Sequence, residues 1–268
     1  MPKTLVIAYL VFSAALIAVA ARYYDVTAVA IAAASLAMFA ACFASANALL
    51  GAGPAKKFAA LAVAIGWLAE QMGSSHGWFF GSYTYTDVLG PRLGNVPLVI
   101  PLMWFALSFI GYALANLILW KQPTDSSASL SRIAGATLIA AMIVTAFDLG
   151  ADPYFVFVMK AWIMTKQDGG WFGETLQGFA GWMFIAFVII FLFRLWTRQS
   201  AASPATPAAM RAALVPLAIY ASGMVFQMLL GHPVETRAIA VFAMGIPLLC
   251  AFHGWQEWRA APAQGAAA

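Results

Sequence analysis

Apolar residues come in long runs with short polar breaks between them. Eight runs stand out, at about residues 4–20, 26–50, 58–75, 96–119, 130–148, 175–196, 211–230 and 235–252. Each approaches the roughly 20 residues that an α-helix needs to cross a hydrocarbon core. The pattern predicts an all-α fold, a polytopic transmembrane helix bundle of about eight spans (7–8). A ninth run, Tyr154 to Met164, is too short to span and is expected as an interfacial or re-entrant helix.

The first run also carries the marks of a signal peptide, with Lys3 ahead of it and Ala18-Val19-Ala20 as a cleavage pattern. With one charge in its n-region, the expectation is an uncleaved first helix. Residues 1–259 then form a single transmembrane domain, and the Ala/Gly/Pro-rich tail 260–268 is expected to be disordered. Gly51 to Lys57 reads as a turn, Lys121 to Ser131 as a polar Ser-rich loop, and Arg194 to Arg211 as a flexible loop with Ser-Pro and Thr-Pro steps.

Composition excludes a water-soluble enzyme. Of 268 residues 63% are apolar and 9% charged, against roughly 25% charged in soluble domains. The net charge of +4 comes without a basic run, so no nucleic acid is expected as a partner. Cys42 and Cys250 lie in apolar runs and read as packing residues rather than a disulfide or metal pair.

Charge also orients the chain. Eight spans gather Lys3, Lys56, Lys57, Lys121, Arg132, Arg194, Arg198, Arg211 and Arg259 on the side of the two termini. Only Arg22, Arg92, Lys160, Lys166 and Arg237 fall on the other side. The positive-inside rule then places both termini in the cytoplasm, with the protein in a bacterial inner (cell) membrane. The acids divide the other way. Asp125 and Glu257 share the cytoplasmic side. Asp25, Glu70, Asp87, Asp148, Asp152, Asp168, Glu174 and Glu235 gather at the opposite end. Acids are weak topology signals, so a polar site at that end is the expected cause.

Three stretches could build that site. Glu70 to Pro97 begins inside a span and runs on as an aromatic, Gly-rich loop holding His76, Trp78, Tyr83, Tyr85 and Asp87. Interfacial aromatics alone account for part of it. They do not account for Glu70, an ionisable group in apolar company and so a functional candidate, or else a hydrogen-bonded structural carboxyl. In the second stretch Asp148 and Asp152 are four apart and share a helix face. The span should end near Asp152, because the residue before Pro153 is biased away from helix. Such a pair suits acid–base work, and it equally suits a helix end reaching water. The third stretch, Trp162 to Trp182, either shapes the pocket or packs helices through small residues.

Other chemistries find little support. His76, His232 and His253 lack zinc-ligand spacing, and no nucleophile elbow or nucleotide loop is present. A single Asp-x3-Asp pair does not make the two acidic runs of a magnesium–diphosphate site. No lysine stands mid-span for a Schiff base.

The stretch Phe80-Gly-Ser-Tyr83-Thr-Tyr85-Thr-Asp87-x2-Gly90-Pro91, followed by Val96-Pro97 and Pro101-Leu-Met-Trp104, resembles the signature of membrane carotenoid biosynthesis proteins of bacteria and archaea. That family includes carotenoid 1,2-hydratases of the bisanhydrobacterioruberin hydratase type. Glu70-x2-Gly73, Asp148-x3-Asp152-Pro153, Phe172-Gly173 and Phe179-x-Gly181-Trp182 are similar to its other elements. The likeness runs from about residue 70 to 182. The last element departs from the pattern at Glu174, Thr175 and Gly178, changes that bear on substrate and reaction more than on fold.

The resemblance implies addition of water, without a cofactor, to the terminal isopropylidene double bond of a linear or monocyclic carotenoid, giving a tertiary alcohol. Asp148 or Asp152 would be the acid and Glu70 the other half of the pair. Tyr83, Tyr85, Trp78 and Trp104 would offer electron-rich faces to the cation, with His76, Asp87, Trp162 and Trp182 as further binding residues. Its implied partners are the carotenoid, membrane lipid and other enzymes of the same pathway. A proton-coupled transporter or a non-catalytic carotenoid- or lipid-binding protein would also use intramembrane acids.

Overall fold

The structure is a computed structural model and describes residues 27–124, 129–197 and 206–261. The expected first helix, with its cleavage question, and the tail beyond Ala261 lie outside the described residues. Seven helices are described: α1 (Thr27–Leu50), α2 (Ala52–His76), α3 (Val99–Trp120), α4 (Leu130–Pro153), α5 (Leu176–Thr197), α6 (Pro207–Leu230) and α7 (Glu235–Ala260). All except α2 are long and apolar enough to cross a membrane. The α2 helix is as long, but it carries Lys56 and Lys57 near its start and Glu70 near its end. The chain is an all-α bundle and an integral membrane protein.

α3 is the centre of the bundle. Buried residues make up 78% of its spanning window, against 33% for α7. It packs against α1, α2, α4 and α7. Small residues permit the close approach: a Cβ on Gly111 would stand 2.6 Å from the Ala140 carbonyl of α4, and one on Gly254 of α7 would collide with the Leu117 carbonyl. On the periphery Leu138, Met142, Phe184, Phe242, Ile246 and Leu249 point outward, as lipid-facing side chains do.

Several boundaries differ from those expected. The turn anticipated over Gly51 to Lys57 is confined to Gly51, whose φ of 85° suits glycine, and Lys56 and Lys57 are already helical. α6 begins at Pro207, with the Thr206 hydroxyl capping Ala209 N at 3.2 Å. The flexible loop expected from Arg194 to Arg211 is thus helical at both ends, and 198–205 lie outside the described residues. The α-helical part of α4 ends close to Asp152, as expected, but the coil does not break there. It continues through Pro153 and then as one π turn, Tyr154–Val158. The short run expected as an interfacial or re-entrant helix is that turn followed by a strand.

Four short strands tie the loops together at one end: β1 (Tyr83–Tyr85), β2 (Arg92–Leu93), β3 (Val96–Pro97) and β4 (Trp162–Met164). β1 pairs antiparallel with β4, setting Tyr83 opposite Met164, Thr84 opposite Ile163 and Tyr85 opposite Trp162. Side chains alternate along a strand, so Tyr83 and Tyr85 point inward while Thr84 points out. β2 pairs with β3. The loops after α2 and after α4 therefore close over the same end of the bundle.

Candidate active site

Glu70 stands on the inner face of α2, 4% exposed. Both carboxyl oxygens receive hydrogen bonds. Trp104 Nε1 donates to Oε1 at 2.9 Å, Tyr85 donates its hydroxyl to Oε2 at 2.7 Å, and Tyr83 donates to the same oxygen. Small neighbours on the same helix make room. A Cβ on Gly66 would lie 2.6 Å from the Trp104 ring, and one on Gly73 would lie 2.9 Å from both the Phe80 ring and the Tyr83 hydroxyl. The Glu70-x2-Gly73 spacing is thus a carboxyl with a notch one turn on, into which β1 brings its tyrosines. Burial first, and then the Glu70 carboxyl beside them, hold both hydroxyls well above the ordinary tyrosine range, so they remain donors.

Asp148 and Asp152 lie on the face of α4 turned to Glu70, 4% and 8% exposed. Their surroundings differ. Asp148 Oδ2 is buried without a hydrogen-bond partner. Asp152 lies beside the Glu174 carboxyl and the Trp162 indole.

These three carboxyls line one cavity of about 60 Å³. That exceeds the ~10–15 Å³ needed for one water and is far too small for a whole polyene. Tyr83, Tyr85, Trp104, Trp162 and Trp182 share the wall with Phe80, Phe147 and Phe155. Ile31, Ile100, Met103 and Leu107 form its side toward the bundle. Trp104 and Trp182 stack at 4.3 Å between centroids and 23° between planes, and Phe155 stacks on Trp162 at 5.6 Å. The rings present π faces to whatever enters. Among the described residues no three His, Cys, Asp or Glu side chains are placed to hold a metal ion.

Of the residues singled out from sequence, Glu70, Asp148, Asp152, Tyr83, Tyr85, Trp104, Trp162 and Trp182 meet at this cavity. His76, Trp78 and Asp87 do not line it. Trp78 is 56% exposed and packs on the exposed His76, with ring centroids 5.7 Å apart. Asp87 is exposed and accepts a hydrogen bond from Arg92 at 2.8 Å. Sequence reasoning passed over the role of Glu174, which is 1% exposed. Its signals were its place among the acids gathered at that end and an acid where the family pattern has an apolar residue. Cys42 is buried and Cys250 exposed, and both are free thiols.

A bisanhydrobacterioruberin hydratase from Haloarcula japonica is 33% identical over 125 residues, which cover 46% of this chain. The match spans only 39% of that relative's length. No solved structure matches the chain. The model of the family described as carotenoid biosynthesis protein matches residues 7–251. Nearly the whole bundle and every residue of the cavity fall within that match, and the chain belongs to the carotenoid biosynthesis protein family.

Proposed function

We propose that this protein adds water to the terminal isopropylidene double bond of a linear or monocyclic carotenoid, without a cofactor. The observation that carries the reading is the unequal treatment of three carboxyls in one cavity. Glu70 receives three hydrogen bonds and Asp152 has the polar Trp162 indole beside it, while Asp148 Oδ2 has no partner. Donors favour a carboxylate, and their lack favours the neutral acid. Asp148 is therefore the group that carries a proton into the reaction.

The chemistry follows in three steps. Asp148 gives its proton to the =CH– carbon of the terminal double bond, and the electron pair of that bond forms the new C–H bond, leaving the positive charge on the dimethyl-substituted carbon. The tertiary cation left next to it faces Trp104, Trp182 and the tyrosine rings, whose π faces stabilise positive charge. A water in the cavity then forms the C–O bond, and Asp152 removes its proton. Alkene plus water gives tertiary alcohol, with no change of oxidation state. The proton on Asp152 returns to Asp148, four residues away on the same helix face. Glu70 anchors the ring faces and adds negative charge opposite the cation.

The enclosure suits a reaction that must admit one water and exclude many. The cavity takes the end of the substrate, and the polyene extends along Ile31, Ile100, Met103 and Leu107 into the bundle. A chain approaching the ~30 Å of a bilayer core would lie within it. The arrangement of basic residues supports cytoplasmic termini in a bacterial inner membrane, with the cavity at the other face.

The test is expression in a host that makes a linear carotenoid, followed by chromatography and mass analysis of the pigments. A mass gain of one water per modified end is expected. Pigments of unchanged mass, with the protein present in the membrane, would reject the reading.

A further inference from the structure

Glu174 is a buried carboxyl to which the chemistry above assigns no step. A tight hairpin delivers it. Gly169 N donates to Gly173 O at 3.0 Å, and Glu174 N donates to Trp171 O at 2.9 Å. The turn passes through Phe172 and Gly173 at φ of 52° and 98°. A Cβ on Gly169 would collide with the Glu174 carbonyl. Trp171 Nε1 pins the hairpin to Leu149 O at 2.9 Å, three residues before Asp152.

No amide, hydroxyl or indole hydrogen reaches either oxygen of the Glu174 carboxyl. Its partner is the carboxyl of Asp152. Two carboxyls in contact and out of water require a proton between them, because two carboxylates would repel unscreened. Burial first, and then Asp152 and Asp148, push Glu174 up to about 11. Those two aspartates are the charged groups facing it from α4, while Lys166 and Asp168 on its own loop are exposed.

We infer that Glu174 is a positioning residue whose carboxyl O–H donates to Asp152 and holds that group as the carboxylate that accepts the proton of water. Its own proton stays in place through the cycle. Asp152 takes the proton from water on its other oxygen and passes it to Asp148. The kinetic consequence rests on the hydratase reading, whereas the hydrogen bond itself does not.

Two variants separate donation from packing. Glu174→Gln keeps an N–H donor toward Asp152, and Glu174→Leu keeps bulk without one. Turnover of Glu174→Gln should stay within a few-fold of wild type. Glu174→Leu should lose at least about ten-fold near neutral pH, with the acid limb of its pH–rate profile moved up by about one to two units, as expected for loss of a hydrogen bond to a charged group. An unchanged rate and profile in Glu174→Leu would overturn the inference. Infrared spectra of the detergent-purified protein without substrate decide the same point independently. The wild-type minus Glu174→Gln difference at pH 7 should show a protonated-carboxyl band. A carboxylate band there would overturn the inference even if Glu174→Leu fails to insert. Unhydrated pigment from the wild type would reject the proposed reaction, and the infrared result would still stand for or against the hydrogen bond.

Discussion

The indole of Trp171 donates to the carbonyl oxygen of Leu149 at 2.9 Å, the oxygen that residue 153 would bond in an unbroken helix. Residue 153 is proline and has no N–H to offer. The tolerated proline of α4 thus creates an acceptor, and the loop before α5 fills it. In this way Pro153 fixes the hairpin that carries Glu174 against the helix that carries Asp152.

Trp171→Phe should uncouple them. The ring area is kept while the donor is lost, leaving a half-buried carbonyl unsatisfied at a cost of about 1 kcal/mol. A melting temperature a few degrees lower in detergent is expected, together with reduced turnover. An unchanged melting curve and rate would show that the hairpin is held by other contacts.

Stability should depend on pH through Glu174. Its folded value of about 11 lies above that of an unfolded glutamate. Between those values the native state binds the extra proton, so stability falls as pH rises. The contribution is fully present below the unfolded value and lost as pH rises through the folded one. The wild type should therefore lose more melting temperature between pH 6 and pH 9 than Glu174→Gln does. Parallel slopes would mean that Glu174 is ionised in the folded protein.

The pairing of β1 with β4 can be tested by cross-linking. Thr84 and Ile163 are opposite each other and both exposed, and cross-strand Cβ atoms lie about 4.5–5.5 Å apart. Thr84→Cys with Ile163→Cys, in a Cys250→Ser background, should form a disulfide under mild oxidation. Membrane-impermeant thiol reagents should reach either cysteine alone from the non-cytoplasmic side. Labelling of one from each side would break the single-site arrangement, because Glu70 and Asp148 could not then share a cavity.

The helices were readable in sequence because lipid demands long apolar runs, and their ends were not. Lys56, Lys57, Glu257 and Arg259 interrupt the apolar pattern without stopping the backbone, so α2 starts before its apolar run and α7 outlasts its own. Strand β4 was hidden because its partner, β1, lies far away in the chain and neither is long enough to show a period of two. Glu70, Asp148 and Asp152 could be picked out because a carboxyl within a span is rarely idle. Glu174 could not, since a loop acid beside Asp168 looks solvated until the hairpin buries it. His76, Trp78 and Asp87 share the motif but face outward, a distinction that side-chain direction makes and residue type does not.

The division of labour among the carboxyls gives the sharpest test. Asp148→Asn removes the proton that starts the reaction, and it should lower turnover by about 10²- to 10⁴-fold with little effect on folding, because Asp148 Oδ2 has no hydrogen bond to lose. Asp152→Asn should also lower turnover, and its acid limb in the pH–rate profile should vanish with the titrating base. Glu70→Gln should behave differently. Its amide nitrogen cannot accept, so at least one of the donors from Tyr83, Tyr85 and Trp104 is left facing another donor. Leaving it unsatisfied costs about 1–3 kcal/mol. A marked fall in melting temperature should therefore accompany any loss of rate. Measuring both quantities on all three variants separates acid, base and scaffold. Should Asp148→Asn retain near-normal turnover, Asp148 would not be the acid, and the hydrogen-bond argument for its neutral form would fall with it.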